Sequence, residues 1–268
     1  DPRARALWQK LSAKNNVRFH FKTRVVHAVS PRQVLTESAG TSSIIETKKL
    51  ILATGARELL LPFPGWTIPG VMGAGGLQAL SKNGFPVEGK RVIVAGSGPL
   101  LLAVAASLMG RGAIVTHILE QSKLPQLTRF ALSLLATPDK LKQAWQLRQI
   151  LRQVKYVSDS YVCAALGVDH VAGVRAQING REQRLDCDYL ACGYGLIPNI
   201  DLASSIACGL DEADGYAKVR VDQWQHSSVE QVYSAGESTG IGGVDLALAE
   251  GAIAGWAATE RHDMAKKL

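Results

Sequence analysis

The sequence predicts an α/β fold in which a Rossmann-like nucleotide-binding domain is inserted into a second nucleotide-type domain that is split along the chain. Three observations predict it. A strand ends in Leu50-Ile51-Leu52-Ala53-Thr54-Gly55-Ala56. A strand, glycine turn, helix and strand then run from Arg91 to Glu120, and a further strand end, Val232-Tyr233-Ser234-Ala235-Gly236-Glu237, comes late in the chain. Nucleotides bind at the carboxyl ends of strands in such sheets, and glycine there lets a ligand approach the backbone. The order of the three is that of one nucleotide-type domain interrupted by a second. The expected boundaries are residues 1–62 for the first segment of the outer domain, 63–205 for the inserted domain with its junctions, and 206–268 for the last outer segment.

From the first residue onward, Asp1-Pro2 is a good helix start, with a carboxylate cap and proline in the first turn. Residues 3–14 alternate basic and apolar positions as an amphipathic helix does, Val17 to Val29 reads as strand, and a second strand lies near Gln33 to Glu37. Thr47 to Ala53 is expected to be a buried strand. Residues 1–60 contain only Gly40 and Gly55, so the glycine-rich phosphate turn with which a flavin domain opens is missing. The expectation is a fragment cut just before a helix. Arg57 to Gly89 is punctuated by prolines and glycines and reads as a crossover rather than a packed element. Several β-rich runs between Val154 and Gly193 close the inserted domain. The junction Gly193-Tyr194-Gly195-Leu196-Ile197-Pro198-Asn199 leads back to a strand at Gln231 to Ala235 and a helix from about Val244 to Thr259. Trp66 and Trp224 are expected to pack at the junctions; Tyr194, beside the second junction, is expected to pack there too, with contact to a flavin as the alternative.

With 268 residues, 47% hydrophobic and 20% charged, the chain has the balance of a globular protein with a substantial core, which excludes disordered and fibrous classes. No apolar run reaches the roughly 18 residues of a membrane-spanning helix. Cys163, Cys187, Cys192 and Cys208 show no C-x-x-C spacing, which points to reduced thiols and a cytoplasmic location rather than a redox dithiol or metal knuckle. The net charge of +7 is dispersed and lacks a groove-reading motif, so nucleic acid is not expected as a partner. One helix expected from Thr137-Pro138 through Val154 carries Leu141, Ala144, Trp145, Leu151 and Val154 at helical spacing. Lys140, Lys142, Arg148, Arg152 and Lys155 occupy its other faces, a solvated surface or a dock for an acidic partner or membrane surface.

The chemistry is concentrated in two glycine motifs. After the apolar strand Arg91-Val92-Ile93-Val94-Ala95, the turn Gly96-Ser97-Gly98 opens a helix near Pro99. Gly96 suits a backbone angle closed to other residues, and Gly98 lets a pyrophosphate reach the helix's positive end. Glu120 ends the next strand about twenty residues beyond Gly98, where an acid reaches a ribose hydroxyl and disfavours a 2′-phosphate. Leu101, in place of the third glycine or alanine, is expected to hold helix and strand further apart, and Pro99 removes an amide donor. The site is thus expected to take NAD weakly, or another adenine nucleotide. In the terminal motif Gly236 permits close approach, Glu237 offers a carboxylate to sugar-alcohol hydroxyls, and the helix after Gly243 is rich in alanine and glycine. Its positive end suits the flavin edge that gains negative charge on reduction. No catalytic base, nucleophile or metal-ligand set is visible, and the six histidines are scattered.

Ala53-Thr54-Gly55-Ala56-Arg57-Glu58, Pro62-Phe63-Pro64-Gly65-Trp66, Gly96-Ser97-Gly98-Pro99-Leu100-Leu101, Cys192 to Asn199, Ala235-Gly236-Glu237-Ser238-Thr239-Gly240 and Glu250-Gly251-Ala252-Ile253-Ala254-Gly255 together resemble the FAD/NAD(P)-binding pyridine nucleotide-disulphide oxidoreductases. More narrowly, the chain resembles the α (A) subunits of opine oxidase, hydrogen cyanide synthase and dye-linked proline dehydrogenase. The resemblance implies an outer FAD-binding domain of glutathione-reductase type, N-terminally incomplete. It implies a heteromer in which a β subunit carries the substrate-oxidising flavin. By position, Thr54, Gly55, Gly236 and Glu237 would contact FAD, and Gly96, Gly98 and Glu120 would line the NAD or adenine-nucleotide site. FAD is expected of the full-length protein, with little retained by the chain as it stands.

Three readings of function follow. The first is an FAD-dependent oxidoreductase, the electron-transferring subunit of an amine or imino-acid dehydrogenase or oxidase, present as a fragment. The second is a stand-alone NAD(P)H-dependent flavin reductase. The third is a non-catalytic adenine-nucleotide-binding assembly subunit.

Overall fold

A computed structural model describes residues 2–133, 146–147, 149–213 and 215–267. The chain forms two compact units, one of Arg57–Ile197 and one of Asp1–Ala56 with Pro198–Leu268, so the first is inserted in sequence into the second. The elements run α1 (Pro2–Ser12), β1 (Thr23–Ser30), β2 (Gln33–Ser38), β3 (Thr41–Glu46), β4 (Leu50–Leu52), β5 (Ala56–Glu58), β6 (Val71–Gly73), α2 (Ala74–Lys82), β7 (Arg91–Gly96), α3 (Leu100–Met109), β8 (Ile114–Glu120) and α4 (Leu124–Ser133). They continue β9 (Lys155–Val157), β10 (Ser160–Gly167), β11 (Val171–Ile178), β12 (Arg181–Asp186), β13 (Tyr189–Gly193), β14 (Leu196–Pro198), α5 (Asp201–Ser205), β15 (Leu210–Ala213), β16 (Tyr216–Val219), β17 (Val232–Ser234), α6 (Gly243–Ala258) and α7 (His262–Ala265). At the two chain crossings β5 and β14 pair with each other.

The continuous unit is layered around a five-stranded parallel sheet of order β6-β13-β7-β8-β9. β7 reads as an unbroken apolar run because both faces of the sheet are covered. Side chains alternate across a strand, so Val92 and Val94 enter one core with Leu77, Leu101, Val104 and Leu108 from α2 and α3. Ile93 and Ala95 enter the opposite core with Val162, Val174 and Ala176 from the antiparallel sheet β10-β11-β12. Arg91 ties the start of β7 to the start of β13: its backbone N–H and guanidinium donate to Asp188 at 2.7 and 2.9 Å. β7 is followed by β8 on one side and flanked by β13 on the other. The strand order reverses there, and a crevice opens at the carboxyl ends of such strands.

The stretch Arg57 to Gly89, expected to be an unpacked crossover, instead supplies β6 to the sheet and α2 to the core, with Ala74, Leu77 and Ser81 buried. The glycines misled because they crowd the start of α2. There the Glu58 carboxylate accepts from the Gly75 and Gly76 amides at 2.7 and 3.0 Å and leaves no room for a Cβ at Gly73.

The discontinuous unit holds the antiparallel sheet β1-β2-β3, the parallel pair β4 and β17, and the hairpin β15-β16. Its core joins Ala28, Leu52, Ala203, Ile206, Val219 and Val232. Three expectations change here. Strand β1 begins at Thr23 rather than Val17: Lys22 has φ +52°, which breaks the extended run, and Phe19 and Phe21 gather with Trp8 at ring separations of 4.7 to 5.7 Å. β3 was not anticipated because Thr41-Ser42-Ser43 has no apolar alternation. Rather than a buried strand from Thr47 to Ala53, β4 is three residues long, with Leu52 buried and Ile51 40% exposed. Trp224 packs beside Ala235 and Ala254, its ring 4.8 Å from His262. Most of the expected basic helix beyond Thr137 lies outside the described residues, whereas Leu151 and Val154 are buried in the continuous unit.

Candidate functional site

In the discontinuous unit β4 and β17 lie parallel, with Leu50 beside Val232, Ile51 beside Tyr233 and Leu52 beside Ser234. The Ala235 amide donates to Leu52 O at 3.0 Å, so the pairing extends past the named strands toward Thr54 and Gly236. Two stretches far apart in sequence therefore end side by side. Asn199 fixes the first. Thr54 Oγ1 donates to its carbonyl at 2.6 Å, its Nδ2 donates to Thr54 O at 2.9 Å, and its amide donates to Gly55 O at 2.9 Å. Gly55 has φ +65°, and nothing lies within 4 Å of a Cβ built there. A cleft of about 510 Å³ opens beside Thr54, lined also by His27, Asn199, Asp201 and Ser205.

The second strand end turns sharply at Gly236, φ +80°, and runs through Glu237 to Thr239 before α6 begins at Gly243. Glu250, two turns into α6, holds it: Oε2 accepts from the Gly236 amide at 2.7 Å and from Thr239 Oγ1 at 3.0 Å. Ser238, fully buried, meets Ser234 Oγ at 2.9 Å. Glu237 itself is partly exposed. On α6, a Cβ built at Gly251 or Gly255 would meet nothing within 4 Å, so those positions are open.

In the continuous unit the glycine turn has the expected backbone, Gly96 at φ +148° and Gly98 at φ +95°. Their roles differ. A Cβ on Gly96 would collide with the Gly193 carbonyl, so Gly96 serves the approach of β13, whereas the space around Gly98 is open. Glu120 is 1% exposed and braces the turn, its Oε1 accepting from Ser97 Oγ at 3.0 Å and the Ser122 amide at 2.8 Å, its Oε2 from the Gly98 amide at 2.9 Å. Ser97 Oγ is also 2.8 Å from Ser122 Oγ, so it can turn away and leave Glu120 an accepting position. Burial of the hydroxyl, followed by the charge of Glu120 and a hydrogen bond to it, raises the Tyr156 pKa above its ordinary value. The Ser97 amide donates to Gly193 O, the Gly98 amide to Glu120, and Pro99 has none. The turn thus offers a phosphate fewer donors than a typical glycine turn.

Leu101 packs against β13. It is fully buried, and a Cβ on Gly193 would come 2.9 Å from its Cδ2, so the small residue the fingerprint places on the helix sits on β13 instead. Beyond Gly193, Tyr194 is hydrogen-bonded to the buried Cys192, whose thiol burial pushes up to about 12. Trp66 is 41% exposed and lines, with Phe63, Met72 and Tyr194, a cavity of about 300 Å³.

The family profile for pyridine nucleotide-disulphide oxidoreductases matches residues 1–254. The chain belongs to this family. The HcnB subunit of hydrogen cyanide synthase from Pseudomonas aeruginosa is 32% identical over 253 residues, 89% of this chain and 54% of that protein. An opine oxidase subunit from Agrobacterium tumefaciens is 30% identical over 226 residues, 82% of this chain and 45% of that protein. The chain spans about half the length of these relatives. Among solved structures, T. acidophilum thioredoxin reductase superposes with a TM-score of 0.70 at 19% identity, covering 98% of this chain and 80% of that one. A NAD-dependent persulfide reductase from A. fulgidus gives 0.69 at 21%, covering 95% and 46%. The fold is thus the α/β fold of this family, a Rossmann-like unit within a glutathione-reductase-type scaffold.

Sequence reasoning assigned no role to Asn199, Glu250, Glu58 or Gly193. The first three are polar residues inside motifs otherwise read for their glycines. A carboxylate two turns into a helix that opens on glycines is the signal that could have found Glu250, whereas Glu58 lies 17 residues before Gly75 and carries no local signal.

Proposed function

We propose that this chain belongs to an FAD-dependent oxidoreductase, the electron-transferring subunit of an amine or imino-acid dehydrogenase or oxidase. The parallel pairing of β4 with β17, which sets Thr54-Gly55 beside Gly236-Glu237, carries the reading. The residues fit the cofactor: Gly55 and the open positions on α6 leave room that any side chain would fill, and Glu237 stands partly exposed at the turn. When bound, FAD supplies the electron transfer. Thr54, Gly55, Gly236 and Glu237 hold and orient it, Glu237 by accepting from sugar-alcohol hydroxyls, and the start of α6 favours negative charge nearby. Gly98 and Glu120 form the second site, which suits the unphosphorylated ribose of NAD or another adenine nucleotide better than it suits a diphosphate. The names of the relatives, subunits of hydrogen cyanide synthase and opine oxidase, favour a partner subunit that oxidises the substrate.

The test is the visible spectrum of protein expressed from its complete gene, alone and with the partner subunit. Flavin absorbance that NADH alone leaves intact, and that an amine substrate bleaches once the partner is present, is the expected result. Bleaching by NADH alone would instead select a stand-alone reductase, and absence of flavin from every preparation would select an assembly subunit.

A further inference from the structure

We infer that Glu250 is the positioning residue of the proposed flavin turn and that it acts as a single-oxygen acceptor, so its hydrogen-bonding geometry rather than its charge is what the site uses. The inference rests on the FAD reading for its functional part. Gly236 is the second residue beyond the buried β17 end, with φ +80°, and its amide points back at α6 rather than along the strand. The Glu250 carboxylate receives that amide at 2.7 Å and lies 3.0 Å from Thr239 Oγ1, whose single proton is shared between Glu250 Oε2 and Gly236 O at 2.8 Å. One side chain therefore joins the first and last parts of the turn that carries Glu237. Without it a partly buried amide and a hydroxyl compete for water, and Gly236, the residue with the widest backbone freedom, is released.

Both donors converge on the same oxygen, Oε2. A glutamine carbonyl has two lone pairs and accepts both, with its amide nitrogen turned away. Glu58 and Glu120 are built differently. Glu58 receives Gly75 on Oε1 and Gly76 on Oε2, and Glu120 receives donors on both oxygens. In either, a glutamine would present an N–H₂ to an N–H donor. The three carboxylates look equivalent in sequence, yet only Glu250 has a conservative substitute.

The experiment combines hydrogen exchange of residues 235–240 with FAD retention by the flavin-loaded protein, for wild type, Glu250→Gln, Glu250→Ala and Thr239→Val. The lost amide bond and the lost share of the Thr239 hydroxyl predict that Glu250→Ala speeds exchange across the turn and weakens FAD binding by about tenfold, that Thr239→Val gives a smaller rise, and that Glu250→Gln stays within about twofold of wild type on both readouts. Thr239→Val removes only one of the two donors and keeps the test open where Glu250→Ala does not fold. Glutamine behaving like alanine, or turn amides in Glu250→Ala exchanging as in wild type, would overturn the inference. If wild type takes no FAD while the exchange pattern appears as stated, the hold of Glu250 on the turn is supported and the flavin reading is what falls.

Discussion

The exchange of sizes between Leu101 and Gly193 makes a quantitative prediction about how this nucleotide unit is packed. A Cβ added at Gly193 would sit 2.9 Å from Leu101 Cδ2 and 3.3 Å from Ala74 Cβ, and Gly193 lies outside the left-handed region, so alanine there is opposed by packing and not by backbone strain. Overpacking of this kind costs about 1–3 kcal/mol. Leu101 is fully buried, and Leu101→Ala leaves a void costing about 2–5 kcal/mol. In the double variant the alanine methyl at 193 enters that void and its clash with Leu101 is gone. The pair should therefore cost less than the sum of the singles by at least about 1 kcal/mol, or roughly 3 °C in Tm. Urea denaturation of the four proteins measures all three differences in one cycle. Additivity within about 0.3 kcal/mol would mean that the two residues do not share space, and the account of how Leu101 replaces the fingerprint glycine would fail.

Other expectations are as direct. Glu58→Ala frees the Gly75 and Gly76 amides at the start of α2 and should destabilise the protein by about 1–2 kcal/mol, with Glu58→Gln close behind it; a loss below about 0.3 kcal/mol in chemical denaturation would show that solvent caps α2 equally well. The hydrogen bonds from Arg91 hold the Asp188 carboxyl below the usual carboxylate range. A lowered folded-state pKa stabilises above the unfolded value and loses that contribution as the pH falls through the folded one, so the stability gap between wild type and Asp188→Asn should close as pH drops below about 4; a gap constant down to pH 2 would contradict the pairing. Burial pushes the Cys187 and Cys192 thiols up to about 12 and also raises Cys208. A thiol reagent at about pH 8 should therefore modify the partly exposed Cys163 first and the others only after denaturation, and rapid labelling of all four in the native protein would refute the burial.

Much of the scaffold was legible in the sequence because its signals are local. The run Val92 to Ala95 followed by Gly96-Ser97-Gly98 specifies a strand, turn and helix within a dozen residues, and Gly96 and Gly98 take the left-handed backbone that only glycine adopts easily. The turn at Gly236 and the helix after it were legible for the same reason. The errors share a cause. Arg57 to Gly89 looked like a loop because its glycines were read as breakers, when Glu58 makes them a capped helix start. Thr41 to Glu46 looked like nothing because a strand at an exposed edge needs no apolar alternation. Leu101 looked like a defect because its compensating residue lies on another strand.

The sequence by itself determined most of the element types and the nested order of the parts, since helix caps, glycine turns and apolar runs act over a few residues and are written where they act. Only the tertiary structure decided which carboxylate braces which turn. Glu58, Glu120 and Glu250 are the same residue type, yet their oxygens receive different sets of donors, and Asn199 is separated from Thr54 and Gly55 in sequence by the whole inserted unit. Hydrogen bonds depend on direction and on a few tenths of an ångström, quantities set when β4 meets β17 and β7 meets β13, and no local pattern of residues encodes them.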